Sequence, residues 1–576
     1  MTLRKLGVLC VLAGAQTIWA QTWTITKVVD NTTPCPGGTG TFNTDGTFPA
    51  IDGPWVVFVD NGDDNCAANN DQSLWSYNLT TGNLVKLADT STPVPAPRGA
   101  GNFEAFAEFA GDTDNLQVHD GTVLFYAYDA DSNPTTGCYG GLYTVPAAGG
   151  TIHRVVDYTM TLPGQGGSFC FLNDSFGING LLGMSIDQGK VYFSAQANPG
   201  ANVGVWWAPA NVNTTEADIH LVADGSTVYE SDIPTGCTGI SCYTVYQWGS
   251  GFVGGSNVAF VGGGWPFGGL FLNSYKTPIL LSPTVLPGDL NTNPAYPYSN
   301  TEFMQPVVDG NDIFFTANDP DYTGTCGGGA FYGVFKTSLS GAGVTSLMNT
   351  CDTQPNGDTL NGQNSFWQMA ANEGTAVFSV SDTTLGYVLD SSVNGVLSKL
   401  IAPGDPLPTG ASCNGTAGTT GCVYQVSPPG TNAVNGGRVT FGAVGGAYWY
   451  DVGIYVASLP CAANVTSDVS VDLGPLTYDS TTKIWSQTAT VTNSSKKGIG
   501  GPLSLVTADL TSGVTLYDGS GSTVCFDPAG SSYINLNLPA SNRLAPGSST
   551  KATLEFTDPS DAPISFTSLV AGAGAR

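Results

Sequence analysis

Three stretches of the chain set carboxylate and amide side chains close together: Asp60-Asn61-Gly62-Asp63-Asp64-Asn65, Asp129-Ala130-Asp131-Ser132-Asn133 and Asn318-Asp319-Pro320-Asp321. Calcium takes roughly six to eight hard oxygen ligands. That makes Asp60, Asp63, Asp129, Asp131, Asn133, Asp319 and Asp321 candidate Ca²⁺ ligands. The second stretch opens with calcium-loop spacing but has no Glu at its twelfth position. The simpler reading is solvated turn residues, since Asp and Asn favour turns. Aromatic residues gather further along: Trp265, Phe267, Tyr296 and Tyr298, with Tyr246 and Trp248 nearby. Rings beside acids can stack on sugars, while the bland reading is that they fill gaps in a core. Histidine is scarce. His153 and His220 recur in matching contexts (Ile152-His153-Arg154, Ile219-His220-Leu221), a structural repetition, and His119 adjoins a turn. A Ser-His-Asp arrangement has no candidate. A carboxylate pair of the glycosidase kind stays open among the 45 acidic residues.

Twelve of the 13 cysteines follow residue 20, and an even number in an exported chain implies disulfides. Cys138 and Cys170, and Cys326 and Cys351, sit in consecutive loops. Cys35 and Cys66 flank one loop pair, Cys237–Cys242 and Cys413–Cys422 close small loops, and Cys461 pairs with Cys525 by elimination. No Cys-x-x-Cys occurs, so zinc is not expected. Residues 1–20 have the layout of an export signal: Arg4 and Lys5, an apolar run from Leu6 to Ala15, then Ala20 before Gln21. No later segment has 18 consecutive apolar residues, so a chain that does not span a membrane is expected. The destination is secreted, extracellular or cell-surface, with the periplasm as an alternative. The formal charge of −28 excludes nucleic acid and anionic lipid as partners, because both demand basic patches.

The elements that must position these groups announce themselves by repetition. A short V-x-F strand recurs with its phenylalanine at Phe58, Phe125, Phe193, Phe260, Phe315, Phe378 and Phe441, at spacings of 67, 68, 67, 55, 63 and 63 residues. Turn pairs such as Asp52-Gly53, Asp120-Gly121, Asp309-Gly310 and Asn435-Gly436 precede it, and these favour tight hairpins. A strand opening with Gly and an aromatic follows, as in Gly141-Leu142-Tyr143, Gly204-Val205-Trp206, Gly269-Leu270-Phe271, Gly333-Val334-Phe335 and Gly453-Ile454-Tyr455. The last strand of each unit ends in a pair plus a further residue: Leu87-Ala88-Asp89, Val155-Val156-Asp157, Val222-Ala223-Asp224, Leu280-Leu281-Ser282, Leu347-Met348-Asn349, Leu400-Ile401-Ala402. Four strands per unit, called A to D with V-x-F on B, predict propeller blades. Seven C strands but six following D strands leave one vacancy, and Ile25–Asp30 matches the D pattern. The expected fold is all-β: a seven-bladed β-propeller over residues 21–460, closed by its N-terminal strand.

The stretches Ile186-Asp187-Gln188-Gly189-Lys190-Val191-Tyr192-Phe193 and Asn372-Glu373-Gly374-Thr375-Ala376-Val377-Phe378 resemble the N-x-x-G-x-x-A-F pattern of bacterial exported tandem-repeat propeller proteins. The resemblance spans residues 22–458 and implies the fold and the compartment. Residues 461–576 change rhythm. Seven short alternating segments there predict an Ig-like β-sandwich, and Thr490-Val491-Thr492-Asn493 and Leu544-Ala545-Pro546-Gly547 look like bacterial extracellular Ig-like modules.

In a propeller the long B–C and D–A loops share one face, where ligands would sit. From these features the expected role is a secreted or surface, non-enzymatic binding or structural protein, taking a glycan or an extracellular protein on that face. The alternatives are a carbohydrate-active hydrolase or lyase that uses loop-face carboxylates, and a structural subunit of an extracellular assembly. Fold does not choose among them.

Overall fold

The computed structural model describes residues 23–572 with interruptions, the longest at 107–115, 130–139, 165–183, 225–251, 289–301 and 320–330. The described part is all-β, with two short 3₁₀ turns and no α-helix. Residues 23–458 form seven antiparallel sheets of four or five strands. Sheet one comprises Ala50–Asp52, Trp55–Asp60, Ser73–Asn78 and Leu84–Asp89. The same order recurs in sheets two to six, whose second strands are Thr122–Asp129, Lys190–Gln196, Asn257–Gly264, Asp312–Asp319 and Thr375–Asp382. Sheet seven takes Arg438–Gly445 and Asp451–Ser458 from the end of the repeat and Thr24–Asp30 from its beginning. Thr24 pairs with Ser458 and Asp30 with Gly453, antiparallel. The edge that would otherwise stand open is thereby covered.

The first strand of each sheet lies beside the first strand of the next: Ala50–Asp52, Leu116–His119, Met184–Asp187, Phe252–Gly254, Glu302–Asp309, Phe366–Asn372, Val434–Asn435, and back to Ala50–Asp52. The arrangement is of propeller type, with these strands innermost.

The repeat has a packing cause. None of the seven V-x-F phenylalanines is more than 1% exposed. Each is paired across the sheet with a residue of the third strand: Trp75, Tyr143, Trp206, Phe271, Phe335, Asp390 and Tyr455 in turn. The rings of Phe315 and Phe335 stack at 5.7 Å and those of Phe441 and Tyr455 at 5.9 Å, the favourable geometry for aromatic pairs. Sheet six is the exception, with the buried Asp390 in the aromatic's place.

The glycine two residues before the aromatic is also explained, because the ring folds back over it. A Cβ at Gly204 would lie 2.5 Å from the Trp206 ring, and one at Gly333 would lie 2.6 Å from Phe335. Opposite this point the outer strand of every sheet bulges by one residue. The bulged residue is the first of the recurring pair, such as Leu87, Val155 or Leu347. In sheet four the pairing is Gly269↔Leu281 and Leu270↔Leu280. The equivalent pair there is Ile279-Leu280, one residue earlier than the sequence pattern places it.

Residues from Ala463 to Gly572 form two five-stranded sheets and a small two-stranded one. The two larger sheets face each other over a core of Val469, Ala489, Val491, Leu503, Leu505, Leu554, Phe556 and Val570, a sandwich packing. Tyr533 of this part donates a hydrogen bond from Oη to Glu373 Oε2, 3.0 Å, in the first hairpin turn of sheet six.

Candidate functional site

The A–B hairpin turns follow the ends of the neighbouring innermost strands. Aligned on V-x-F, the last residue of each innermost strand falls six positions before the phenylalanine: Asp52, His119, Asp187, Gly254, Asp309, Asn372 and Asn435. The strand registers agree, with Asp52↔Trp55, His119↔Thr122, Asp187↔Lys190, Asp309↔Asp312 and Asn435↔Arg438 in equivalent places.

These side chains reach to the next turn in the circle. Asn435 Oδ1 accepts the Gly53 N–H at 2.9 Å, and its Nδ2 donates to Asp52 Oδ1 at 2.9 Å. Arg438 Nη1 donates to the Gly53 carbonyl at 2.9 Å. Asp52 in turn accepts the backbone N–H groups of Asp120 and Gly121. Asp309 takes those of Glu373 and Gly374, at 2.9 and 2.7 Å. A tight turn leaves backbone N–H groups without strand partners, and a short carboxylate or amide is the residue type that satisfies them. Beside this circle Asn432 accepts the Val118 N–H through Oδ1 at 2.8 Å, and its carbonyl accepts the Ile51 N–H at 2.9 Å. The segment of sheet seven between Val423–Val426 and Val434–Asn435 therefore ties the innermost strands of sheets one and two together.

Sheets one to three contribute a denser constellation. His119 Nε2 lies 2.9 Å from Asp187 Oδ1 and 3.6 Å from Asp120 Oδ2. Burial pulls the imidazole pKa down. The Asp187 hydrogen bond and the charges of Asp52, Asp187 and Asp120 outweigh that pull and push it up to about 9. His119 is therefore a cation at neutral pH. Burial raises the Asp52 carboxyl above its usual range, against the His119 charge and the N–H bonds that act the other way. Asp187 is 7% exposed, and its second oxygen, Oδ2, has no hydrogen-bond partner. Solvent reaches the cluster through His119, whose side chain is 35% exposed, and through Asp120, at 83%. The geometry combines a carboxyl biased toward its protonated form, a second carboxyl with a free oxygen, and a fixed cation between the strands that carry them.

The sequence marks the Asp-Gly pairs as turns and His119 as the neighbour of one. The constant offset from V-x-F was the signal that would have joined them.

The residues singled out from sequence fall elsewhere. Asp60 and Asp319 are buried at the ends of second strands. Asp60 accepts the Asn43 N–H at 2.8 Å and the Ser73 hydroxyl at 3.3 Å, while Ser73 Oγ accepts the Trp75 indole N–H at 2.8 Å. Asp60 thus fastens a preceding loop to the sheet. Asp63, Asp131, Asn133 and Asp321, and the side chain of Asp129, lie outside the described residues. So do Trp265, Tyr296, Tyr298 and the side chain of Phe267. Among the described residues no group of three or more His, Cys, Asp or Glu could hold a metal ion. His220 stacks on Trp207 at 4.2 Å, a structural contact.

Cys35–Cys66 and Cys413–Cys422 are disulfides, and Cys351 and Cys461 are disulfide-bonded as well. Cys138, Cys170, Cys237, Cys242, Cys326 and Cys525 lie outside the described residues. Among the described residues no helix is long and apolar enough to cross a membrane.

No family model and no curated protein matches the chain. Solved structures do. A puromycin hydrolase is similar at 11% identity and TM-score 0.39, over 78% of this chain and 59% of the hydrolase. A structure from a study of two prolyl endopeptidases is similar at 12% and 0.37, over 78% of this chain and 54% of the other. An α-L-arabinanase of Penicillium chrysogenum is similar at 10% and 0.31, over 76% of this chain and 98% of the arabinanase. The expectation of a non-enzymatic binding or structural protein is corrected by this comparison, because the matched structures at its head are hydrolases. Likeness at this level transfers no residue role and no substrate.

Proposed function

We propose that the chain is an exported hydrolase that cleaves glycosidic bonds, built as a closed seven-bladed propeller over residues 21–460 with an Ig-like sandwich over residues 461–576. The cyclic contact order of the innermost strands and the pairing of Thr24–Asp30 with Asp451–Ser458 support closure. The signal-like residues 1–20 and the disulfides support export. The internal repetition fits the bacterial exported tandem-repeat propeller proteins that the V-x-F units resemble.

The observation that carries the activity is the placement of Asp52 and Asp187 around His119. Hydrolysis of a glycosidic bond needs one carboxyl that donates a proton to the leaving oxygen and a second that takes one from water or attacks the sugar carbon. Burial biases Asp52 toward the protonated form that a general acid needs. Asp187 Oδ1 is held by His119, and Oδ2, buried and without a hydrogen-bond partner, is the acceptor once substrate is bound. His119 also fixes the orientation of the Asp187 carboxyl through its hydrogen bond to Oδ1. A chain of charge −28 repels polyanions, so the substrate is a neutral glycan.

The test is the release of new reducing ends from neutral polysaccharides by the purified chain, beside Asp52→Asn and Asp187→Asn. Each variant should lose at least about a hundredfold in rate, the usual scale for acid–base groups. Product formed at wild-type rate by both variants, or none formed by the wild type on any polysaccharide, refutes the assignment.

A further inference from the structure

The turn after Ala50–Asp52 is held from sheet seven by one side chain. Asn435 ends the short strand Val434–Asn435, where it pairs with Arg438. Its Oδ1 accepts the Gly53 N–H and its Nδ2 donates to Asp52 Oδ1, both at 2.9 Å. Holding a neighbouring turn needs only an acceptor: Asp309 takes the Glu373 and Gly374 N–H groups with a carboxylate. The amide at position 435 adds a donor, and that donor is directed at the Asp52 carboxyl. A carboxyl with one oxygen engaged as an acceptor carries its proton on the other. The hydrogen bond also strengthens once the acceptor is ionised.

We propose that Asn435 is a positioning residue for Asp52: it confines the acid proton to Oδ2 and stabilises the carboxylate left when that proton departs. This role rests on Asp52 acting as the acid proposed above. As the glycosidic C–O bond breaks, its electron pair stays with the leaving oxygen, which takes the proton from Oδ2. Asp52 is left as a carboxylate whose Oδ1 the Asn435 N–H already meets. Burial keeps the proton on Asp52, while the N–H groups that point at the carboxyl ease its release. The charged groups facing Asp52 are His119, which favours the carboxylate, and Asp120, which disfavours it. Arg438 reaches the same turn through the Gly53 carbonyl at 2.9 Å, and Asp187 is bonded to His119.

The experiment follows the Asp52 carboxyl by ¹³C NMR against pH in the full-length mature chain, with the signal assigned by its loss in Asp52→Asn. The pH profile of kcat/KM for reducing-end release is recorded beside it. Asn435→Leu, close in size but without the donor, should move the Asp52 midpoint up by about one pH unit. The alkaline limb of kcat/KM should move with it, and kcat should fall about tenfold. Asn435→Asp keeps an acceptor for the Gly53 N–H and serves as a second variant should the leucine chain fail to fold. Its two carboxyls should titrate as a coupled pair, one of them well above the wild-type midpoint. Asp309→Asn, which loosens the equivalent hold between sheets five and six, should leave the midpoint in place. A wild-type midpoint in Asn435→Leu, an equal shift in Asp309→Asn, or uncoupled titration in Asn435→Asp overturns the role. Failure of the hydrolase reading shows separately, as no product from the wild type or unchanged product formation in Asp52→Asn, neither of which alters the NMR midpoints.

Discussion

Replacing His119 by Gln removes the cation that joins sheets one, two and three. Its folded pKa of about 9 lies roughly 2.5 units above the ordinary value of 6.5, which at about 1.36 kcal/mol per unit amounts to roughly 3.4 kcal/mol. The side chain is 35% exposed, so water screens the pair, and about 1–2 kcal/mol is the expected contribution. The sign follows from the direction of the shift. The folded state holds the proton more tightly than the unfolded chain, so the stabilisation is complete below about pH 6.5 and fades as pH rises through 9. Urea unfolding of the wild type and His119→Gln at pH 6, 8 and 10 measures this. The gap should be about 1–2 kcal/mol at pH 6 and close to zero at pH 10. The groups facing His119 are Asp52, Asp120 and Asp187, and burial raises the Asp52 carboxyl, so the imidazole resonance itself is followed beside the unfolding curves. A gap that stays constant with pH, or an imidazole NMR resonance titrating near 6.5, would refute the reasoning.

Three further outcomes follow from the packing and the strand pairing. Gly204→Ala should destabilise the chain by about 1–3 kcal/mol, the range for overpacking a core. Trp206 cannot yield, being fully buried and held through its indole N–H to the Pro163 carbonyl at 3.1 Å. Gly500→Ala, whose Cβ meets nothing within 4 Å, should change stability by less than about 0.5 kcal/mol. Deleting residues 21–30 should leave the edge of Asp451–Ser458 open, so the truncated chain should associate on size-exclusion chromatography where the full one does not. Equal elution of the two would show that this strand is dispensable.

Much of the fold was legible because each repeat obeys the same local rules. Phe58 and its six counterparts are buried because an apolar residue two before an aromatic, β-branched in all but the Ala376–Phe378 copy, suits a strand with one inward face. Gly204 and Gly333 mark the third strand because the ring two residues on covers them. The N-terminal strand betrayed itself by ending in the same apolar pair plus Asp as the outer strands. Local sequence could not show that Leu281, not Ser282, stands opposite Gly269, because Ile279-Leu280 and Leu280-Leu281 are both apolar pairs and composition does not choose between them. Nor could it show Asp390 opposite Phe378, where the pattern calls for an aromatic.

The candidate site divides the same way. Residue identity alone determined that Asp52, Asp309 and Asn435 end strands at tight turns, since those side chains satisfy turn N–H groups. The tertiary structure decided which turn each one serves. Asn435 meets Gly53 across 382 residues of chain, and His119 meets Asp187 only because neighbouring sheets set their innermost strands side by side. Charges so distant in sequence acquire an interaction, and His119 its raised pKa, only when the packing of neighbouring sheets brings them within a few ångströms in a partly dry environment.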